Sequence, residues 1–119
     1  MRNFRDYHVY QLSMQLCMEI YGICKDFPSH EKYALANQLE RAAVSIPSNI
    51  AEGSSRSSDA EFAHFLEFAI GSAFEIETQL HIAHNLAYID KQKFEELDDM
   101  ACAIQKGLNK FIATLKNNK

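Results

Sequence analysis

Apolar residues recur every three or four positions in most of this chain, and short polar stretches divide the pattern into separate segments. In the third segment, spacings of four and three alternate over about four heptads, which is typical of a helix packed along one face. This seam consists of Phe62, Leu66, Ala69, Ala73, Ile76, Leu80, Ala83 and Ala87. The overall pattern predicts helices over about 5–26, 30–52, 59–87 and 91–116.

Local signals place the helix ends. The Phe27-Pro28 pair ends the first segment, and Ser29 is the expected N-cap of the second. Ser58-Asp59-Ala60-Glu61 has the spacing of a capping box, and Asp90 is the expected N-cap of the last helix. Short connections between long helices predict antiparallel neighbours. The expected fold is therefore all-α, an up-down-up-down four-helix bundle forming one domain over 1–119.

The third predicted helix carries more apolar residues than one stripe requires. Phe65, Phe68, Ile70 and Phe74 flank its seam. A helix of a monomeric bundle buries only one stripe, so these residues are candidates for an interface between subunits. The alternative is a wide stripe that packs against two neighbouring helices of the same chain.

Composition and charge exclude several classes of protein. A net charge of -4 over 119 residues creates no global field that attracts nucleic acid or anionic lipid. No apolar run approaches a membrane span, and the first residues lack the core of a signal peptide, so we expect a cytoplasmic protein. The spacing of Cys17 and Cys24 favours burial as small apolar residues.

Candidate chemistry is sparse. Glu61 and His64 are spaced for metal binding from one helical face, and Glu77, His81 and His84 form a second small group. Di-iron bundle sites require two such pairs plus two further glutamates, and the sequence has only one pair, so we expect no metal or other cofactor. No serine or cysteine has a local base beside it, and no Gly-rich phosphate loop is present. The sequence therefore does not predict an enzyme.

Two stretches carry a family resemblance, SIPSNIAEG at 45–53 and GSAFEIETQL at 71–80. With their flanking residues, 27–53 and 61–90, they resemble the four-helix-bundle proteins encoded in intervening sequences of bacterial 23S ribosomal RNA genes. The resemblance implies a homopentameric ring with no known catalytic activity. A related branch, the accessory proteins of diversity-generating retroelements, implies binding of a reverse transcriptase and nucleic acid.

The resemblance also assigns candidate residues. Arg41 and Arg56 match the family pattern and are candidates for contact with RNA, DNA or an acidic protein partner. Glu40 and Ile70 stand where arginine is common in the family. Because phosphate contacts supply mainly electrostatic affinity, an acidic chain lacking them should bind nucleic acid poorly. A homo-oligomeric scaffold is therefore the first hypothesis, and a nucleic-acid-binding accessory protein is the alternative.

The stretch at 45–53 is predicted to be structural. Pro47 removes a backbone donor, so we expect a kink before the last turn of the second helix. Ser45, Ser48 and Asn49 are expected to bond backbone groups that the kink frees, and Gly53 to supply a left-handed C-cap. Glu52 would then lie near the start of the third helix, where the helix dipole favours a carboxylate.

Overall fold

The computed structural model describes residues 2–117, which form four α-helices and two short 3₁₀ turns without any strand in that range. The helices are α1 (His8–Cys24), α2 (Leu35–Ser54), α3 (Asp59–Asn85) and α4 (Lys91–Lys116), and the turns are Phe4–Asp6 and Ser29–Glu31. The predicted all-α class is confirmed.

The helices pack as a closed four-helix bundle. Each helix packs against its neighbours in chain order, and α1 also packs against α4. Within the described residues, α1 and α3 share no close backbone contact, so they lie diagonally across the bundle. The molecule measures 49 × 23 × 20 Å. None of the helices described here is both long enough and apolar enough to cross a membrane.

The predicted seam of α3 forms the centre of the core. Phe62, Leu66, Ile76 and Leu80 are fully buried, together with the alanines between them. Cys17 and Cys24 are buried, as the sequence predicts. The prediction was wrong at the last seam position, because Ala87 is exposed and lies beyond the end of α3.

Two helices begin where the capping signals predict. Ser58 Oγ accepts a hydrogen bond from the Glu61 backbone N–H at 3.1 Å, and Asp90 Oδ1 accepts one from Lys93 at 2.8 Å. The Glu61 carboxylate accepts from the Ser58 hydroxyl at 3.3 Å rather than from the Ser58 amide. Both caps satisfy backbone donors that the first helical turn leaves free.

The predicted start of the second helix was wrong. α2 begins at Leu35 rather than near 30, and Ser29 opens a 3₁₀ turn instead of capping an α-helix. The backbone of Ala34 leaves the helical region, which separates the turn from α2. Once started, α2 continues through the buried Pro47 to Ser54.

The predicted role of Gly53 was also wrong. Gly53 lies within α2 and has no positive φ angle. A Cβ atom there would lie 2.7 Å from Phe65 Cβ and 2.9 Å from Phe62 Cδ1, so glycine allows α2 to approach α3 closely. The left-handed residue is Ala87, with a φ angle of 62° at the end of α3. Tyr88 N–H donates to the Ala83 carbonyl at 2.9 Å there, which is the Schellman pattern.

Candidate interaction surface

The corner between α2 and α3 holds one of the two candidate arginines. The Arg56 guanidinium lies 4.7 Å from the centre of the Phe65 ring and donates to Glu52 Oε2 at 2.9 Å. Arg2 donates to the Arg56 carbonyl and to Asp59, and its guanidinium lies 4.7 Å from the Phe62 ring centre. Arg56 is therefore engaged within its own chain, and Glu52 is its ion-pair partner.

Arg41, the other candidate, lies in a different place. It is exposed on the wall of an open groove of about 480 Å³ between α2 and α3, which we call the α2–α3 groove. Its lining includes Tyr33, Arg41, Ser45, Ser72, Glu75 and Gln79. The structure thus separates the two arginines between a corner and a groove. Contact of either one with nucleic acid or an acidic partner stays a prediction.

The two stretches that carry the family resemblance meet in this groove. Ser72 on α3 donates a hydrogen bond to the Ser45 hydroxyl on α2 at 2.8 Å. The Asn49 amide donates to the Ser45 carbonyl at 2.8 Å and to the Ser45 hydroxyl at 3.0 Å. Ser45 therefore connects α2 to α3, and Asn49 supports it from within α2. Pro47 has no N–H, so the carbonyl left without a helical donor is that of Ala43. Asn49 bonds the carbonyl of Ser45 instead, which differs from the expectation that it would bond a group freed by the kink.

Gln79 forms the polar floor of the groove. Its side chain is only 8% exposed, and its Oε1 atom has no hydrogen-bond partner among the described residues. Its Nε2 atom lies 3.5 Å from Oε1 of Gln38, at the outer limit of a hydrogen bond. A buried amide with an unmet hydrogen bond destabilises the isolated subunit. The Gln79 Oε1 atom could therefore accept a hydrogen bond from a partner.

Apolar side chains cover the outer face of α3 beside the groove. Phe68, Phe74, Ile82 and Leu86 are between 43% and 54% exposed. Phe74 and Ile82 line a shallow depression that shares Gln38, Glu75 and Gln79 with the groove. Of the predicted interface residues, Phe68 and Phe74 are exposed. Phe65 packs under Arg56, and Ile70 packs against the core.

A second apolar face lies on α1. Met14, Met18 and Tyr21 are between 40% and 68% exposed, on the helix diagonally opposite α3. This face was not predicted from the sequence. Their spacing of four and three residues was available as a signal, but the exposed side of α1 is defined only once α2 and α4 are seen to cover the other sides.

The residues whose spacing resembled metal ligands do not assemble into one group. His64 lies 3.6 Å from Glu67, and the rings of His81 and His84 pack against Phe94 at 4.7 and 4.9 Å. Within residues 2–117, the side chains grouped closely enough to hold a metal ion are Glu77, Asp98 and Cys102, whose ligand atoms lie within 4.8 Å of one another.

The raised pKa values of Cys102 and Asp98 disfavour metal binding by that group. Burial raises the pKa of the Cys102 thiol, and the carboxylates of Glu77 and Asp98 raise it further. Burial and the carboxylate of Glu77 also raise the pKa of Asp98. The thiolate that would bind a metal is therefore disfavoured at neutral pH. Glu77 meanwhile accepts a hydrogen bond from Gln105 at 2.6 Å.

These features define a class of protein, a small antiparallel four-helix bundle with exposed apolar side chains on α1 and α3 and an open α2–α3 groove. Residues 5–110 match the model of the 23S rRNA-intervening sequence protein family. The chain belongs to that family, and the resemblance read from its two motif stretches is confirmed.

A solved structure supports the same assignment. The crystal structure of a protein of unknown function from the S23 ribosomal protein family of Bacteroides thetaiotaomicron superposes with a TM-score of 0.81 at 27% identity. The match covers 87% of this chain and 97% of the other. No curated protein matches this chain.

Proposed function

We propose that this protein is a non-enzymatic scaffold that works as a homo-oligomer. The observation that carries the proposal is the apolar outer face of α3, where Phe68, Phe74, Ile82 and Leu86 are about half exposed. Soluble monomers rarely leave such large apolar side chains grouped on one helix, and such patches usually meet a partner. The family resemblance gives the number of subunits as five.

The diagonal placement of the apolar faces supports a ring rather than a simple dimer. A two-fold dimer buries the same surface on both subunits, whereas a ring joins two different surfaces of each subunit. The faces of α1 and α3 are different surfaces, and they point away from each other. A chain with two such faces can bind one neighbour on each side.

Nucleic-acid binding is the second hypothesis because its candidate residues are less favourably arranged. Arg56 is paired with Glu52, and Arg41 shares its groove with the carboxylate of Glu75. A phosphate approaching Arg41 would meet that carboxylate, on a chain whose net charge is already -4.

The absolute mass of nuclease-treated protein, measured by light scattering, tests the scaffold. We expect five chains of 13.6 kDa, about 68 kDa, and a smaller mass for the double variant Phe74→Ser/Ile82→Ser. Both side chains are exposed, so their loss should leave the fold intact while removing apolar contact between subunits. The control is Lys106→Ser, a truncation at an exposed position of α4.

A wild-type protein that stays at 13.6 kDa at all concentrations would refute the scaffold proposal. An unchanged mass in the double variant would show that subunits meet elsewhere than on the outer face of α3.

A further inference from the structure

The outer face of α1 carries no charged residue over 11–22. The exposed residues of this stretch are Gln11, Met14, Gln15, Met18, Tyr21 and Gly22. Glu19 is the one charged residue of this stretch; its side chain is 43% exposed at the edge of the face and is paired with Lys93 of α4 at 3.2 Å. A helix that faces only water usually carries charged residues on that side, so this composition is typical of a contact surface.

The apolar residues of this face have the spacing of a helix that lies in a groove. Met14, Met18 and Tyr21 occupy positions i, i+4 and i+7, the anchor pattern of helices that dock between two others. Methionine adapts its shape to an irregular surface, and tyrosine combines an apolar ring with a polar end. Gln11 and Gln15 place neutral amide groups beside these anchors.

The α2–α3 groove needs a partner of that chemistry. Gln79 is buried and has an unmet hydrogen bond at the groove floor. If the unpaired atom of Gln79 is the amide oxygen, it requires a donor; if the amide is turned over, the unpaired atom is the nitrogen and requires an acceptor. A second amide group has both a donor and an acceptor. Arg41 and Glu75 place opposite charges on the two walls, so the groove suits a neutral face better than a polyanion.

We propose that the outer face of α1 of one copy lies in the α2–α3 groove of the next copy. Met14, Met18 and Tyr21 pack against Phe74 and Ile82, and a glutamine amide of α1 bonds Gln79. A chain cannot fill its own groove in this way, because α1 lies diagonally across from α3. The contact is therefore head-to-tail, and its repetition gives a ring where the rotation between copies closes and an open filament where it does not. This inference rests on the proposed self-assembly and adds the surfaces that meet.

Cross-linking tests the contact directly. Thr78 is exposed and lines the depression with Phe74 and Ile82, so it should lie near α1 of the neighbouring copy. We expect the double variant Met18→Cys/Thr78→Cys, treated with a short bis-maleimide, to give a ladder of covalent species up to the full oligomer. A mixture of the two single variants should stop at covalent dimers, and each single variant alone should give none.

The native cysteines provide a low background for this experiment. Burial raises the pKa of the Cys17 thiol, and burial followed by the charge of Glu40 raises that of Cys24 to about 12. The pKa of Cys102 is also raised by burial and nearby carboxylates. All three should stay protonated and slow to react near neutral pH, which the wild-type chain verifies in parallel.

The outcomes separate this inference from the proposed function. An oligomeric mass without a ladder would overturn the α1–groove contact and leave the scaffold standing. Covalent dimers from Met18→Cys alone would mean that two α1 faces meet across a two-fold axis, which would also overturn it. A monomeric mass would remove the scaffold itself.

Gln79→Met probes the polar contact. The substitution keeps the volume and removes the unmet amide, so the dilute subunit should be at least as stable as the wild type. Dissociation of the assembly on dilution should occur at about tenfold higher concentration, because one hydrogen bond between subunits is lost. Gln92→Met, at an exposed position of α4, is the matched control. If the assemblies of Gln79→Met and Gln92→Met dissociated at the same concentration, Gln79 would not take part in the contact between subunits.

Discussion

At Gly53 the absence of a side chain brings two helices together. The position faces Phe62 and Phe65 at the α2–α3 corner, where a Cβ atom would lie within 3 Å of both residues. Real Cβ atoms do not approach other atoms so closely, so either the helices or the phenylalanines would have to move. The same displacement would disturb Arg56, whose guanidinium rests on Phe65.

Gly53→Ala should therefore destabilise the protein by about 1–3 kcal/mol, as overpacking of a filled site does. Gly71→Ala is the matched control in the dissociated subunit, where Gly71 also lies inside a helix but faces open space, in the depression that the neighbouring copy is proposed to fill. That change should stabilise the protein by about 0.5–1 kcal/mol, since alanine favours the helix. Urea unfolding of both variants measures the difference, and two shifts of the same sign would contradict the close-approach explanation.

Ala87 provides the opposite case, an alanine in a conformation that glycine prefers. Its φ angle of 62° costs an L-residue about 1–2 kcal/mol, and glycine avoids that cost while losing some entropy on folding. We expect Ala87→Gly to stabilise the protein by about 0.5–1 kcal/mol in thermal or urea unfolding. Ala103→Gly, at an exposed position inside α4, should destabilise it by about as much. Destabilisation by Ala87→Gly would show that the Schellman geometry is absent in solution.

At the scale of elements, signals that act within a few residues were enough to predict helix ends. Ser58 and Asp90 bond backbone groups three residues away, and α3 and α4 begin where the sequence predicts. At the start of α2 a local bond and a distant one meet on one side chain, because the Glu31 carboxylate also accepts from the Leu35 N–H at 3.3 Å. The Tyr88 hydroxyl, from the connection between α3 and α4, donates to Glu31 Oε2 at 2.8 Å and ties the 3₁₀ turn to the opposite loop. No local pattern around residues 29–34 indicates that bond.

The same contact makes stability depend on pH. The Tyr88 hydrogen bond, followed by that of the Leu35 amide, lowers the pKa of the Glu31 carboxyl. A lowered folded-state pKa contributes stability above the ordinary value of about 4.5, and this contribution is lost as the pH falls through the folded-state pKa. The ionised carboxylate is the form that the hydroxyl stabilises.

Tyr88→Phe should accordingly reduce the free energy of unfolding at pH 7 and change how that free energy falls at acidic pH. The difference in unfolding free energy from the wild type should be constant near neutrality and shrink below about pH 4.5. Urea unfolding across that range measures it, and Tyr33→Phe, at an exposed tyrosine, is the control. If the difference in unfolding free energy between wild type and Tyr88→Phe did not change with pH, the Tyr88 hydroxyl would not be stabilising the ionised Glu31 carboxylate.

At the scale of the molecule, the sequence predicted the bundle but only part of its outer surface. The α3 seam was clear because its spacing persists over the whole helix, and the extra phenylalanines pointed to a further partner. Which of them are exposed depends on neighbouring elements: Phe65 is covered by Arg56, while Phe68 and Phe74 stay open. The groove was not predictable, because Gln79 and Arg41 come from different helices and meet only through the packing of α2 on α3.

The position of α1 between α2 and α4 has a consequence for the order of folding. α2 and α3 are joined by a short corner and can pair through contacts close in sequence, which form quickly. α1 packs only against α2 until α4 has formed and covers its other side. During synthesis from the N-terminus, α1 should therefore be the first helix made and the last one fully enclosed. Its uncharged outer face is exposed during that interval as it is in the finished subunit, so contact between neighbouring chains can begin before the last folding step.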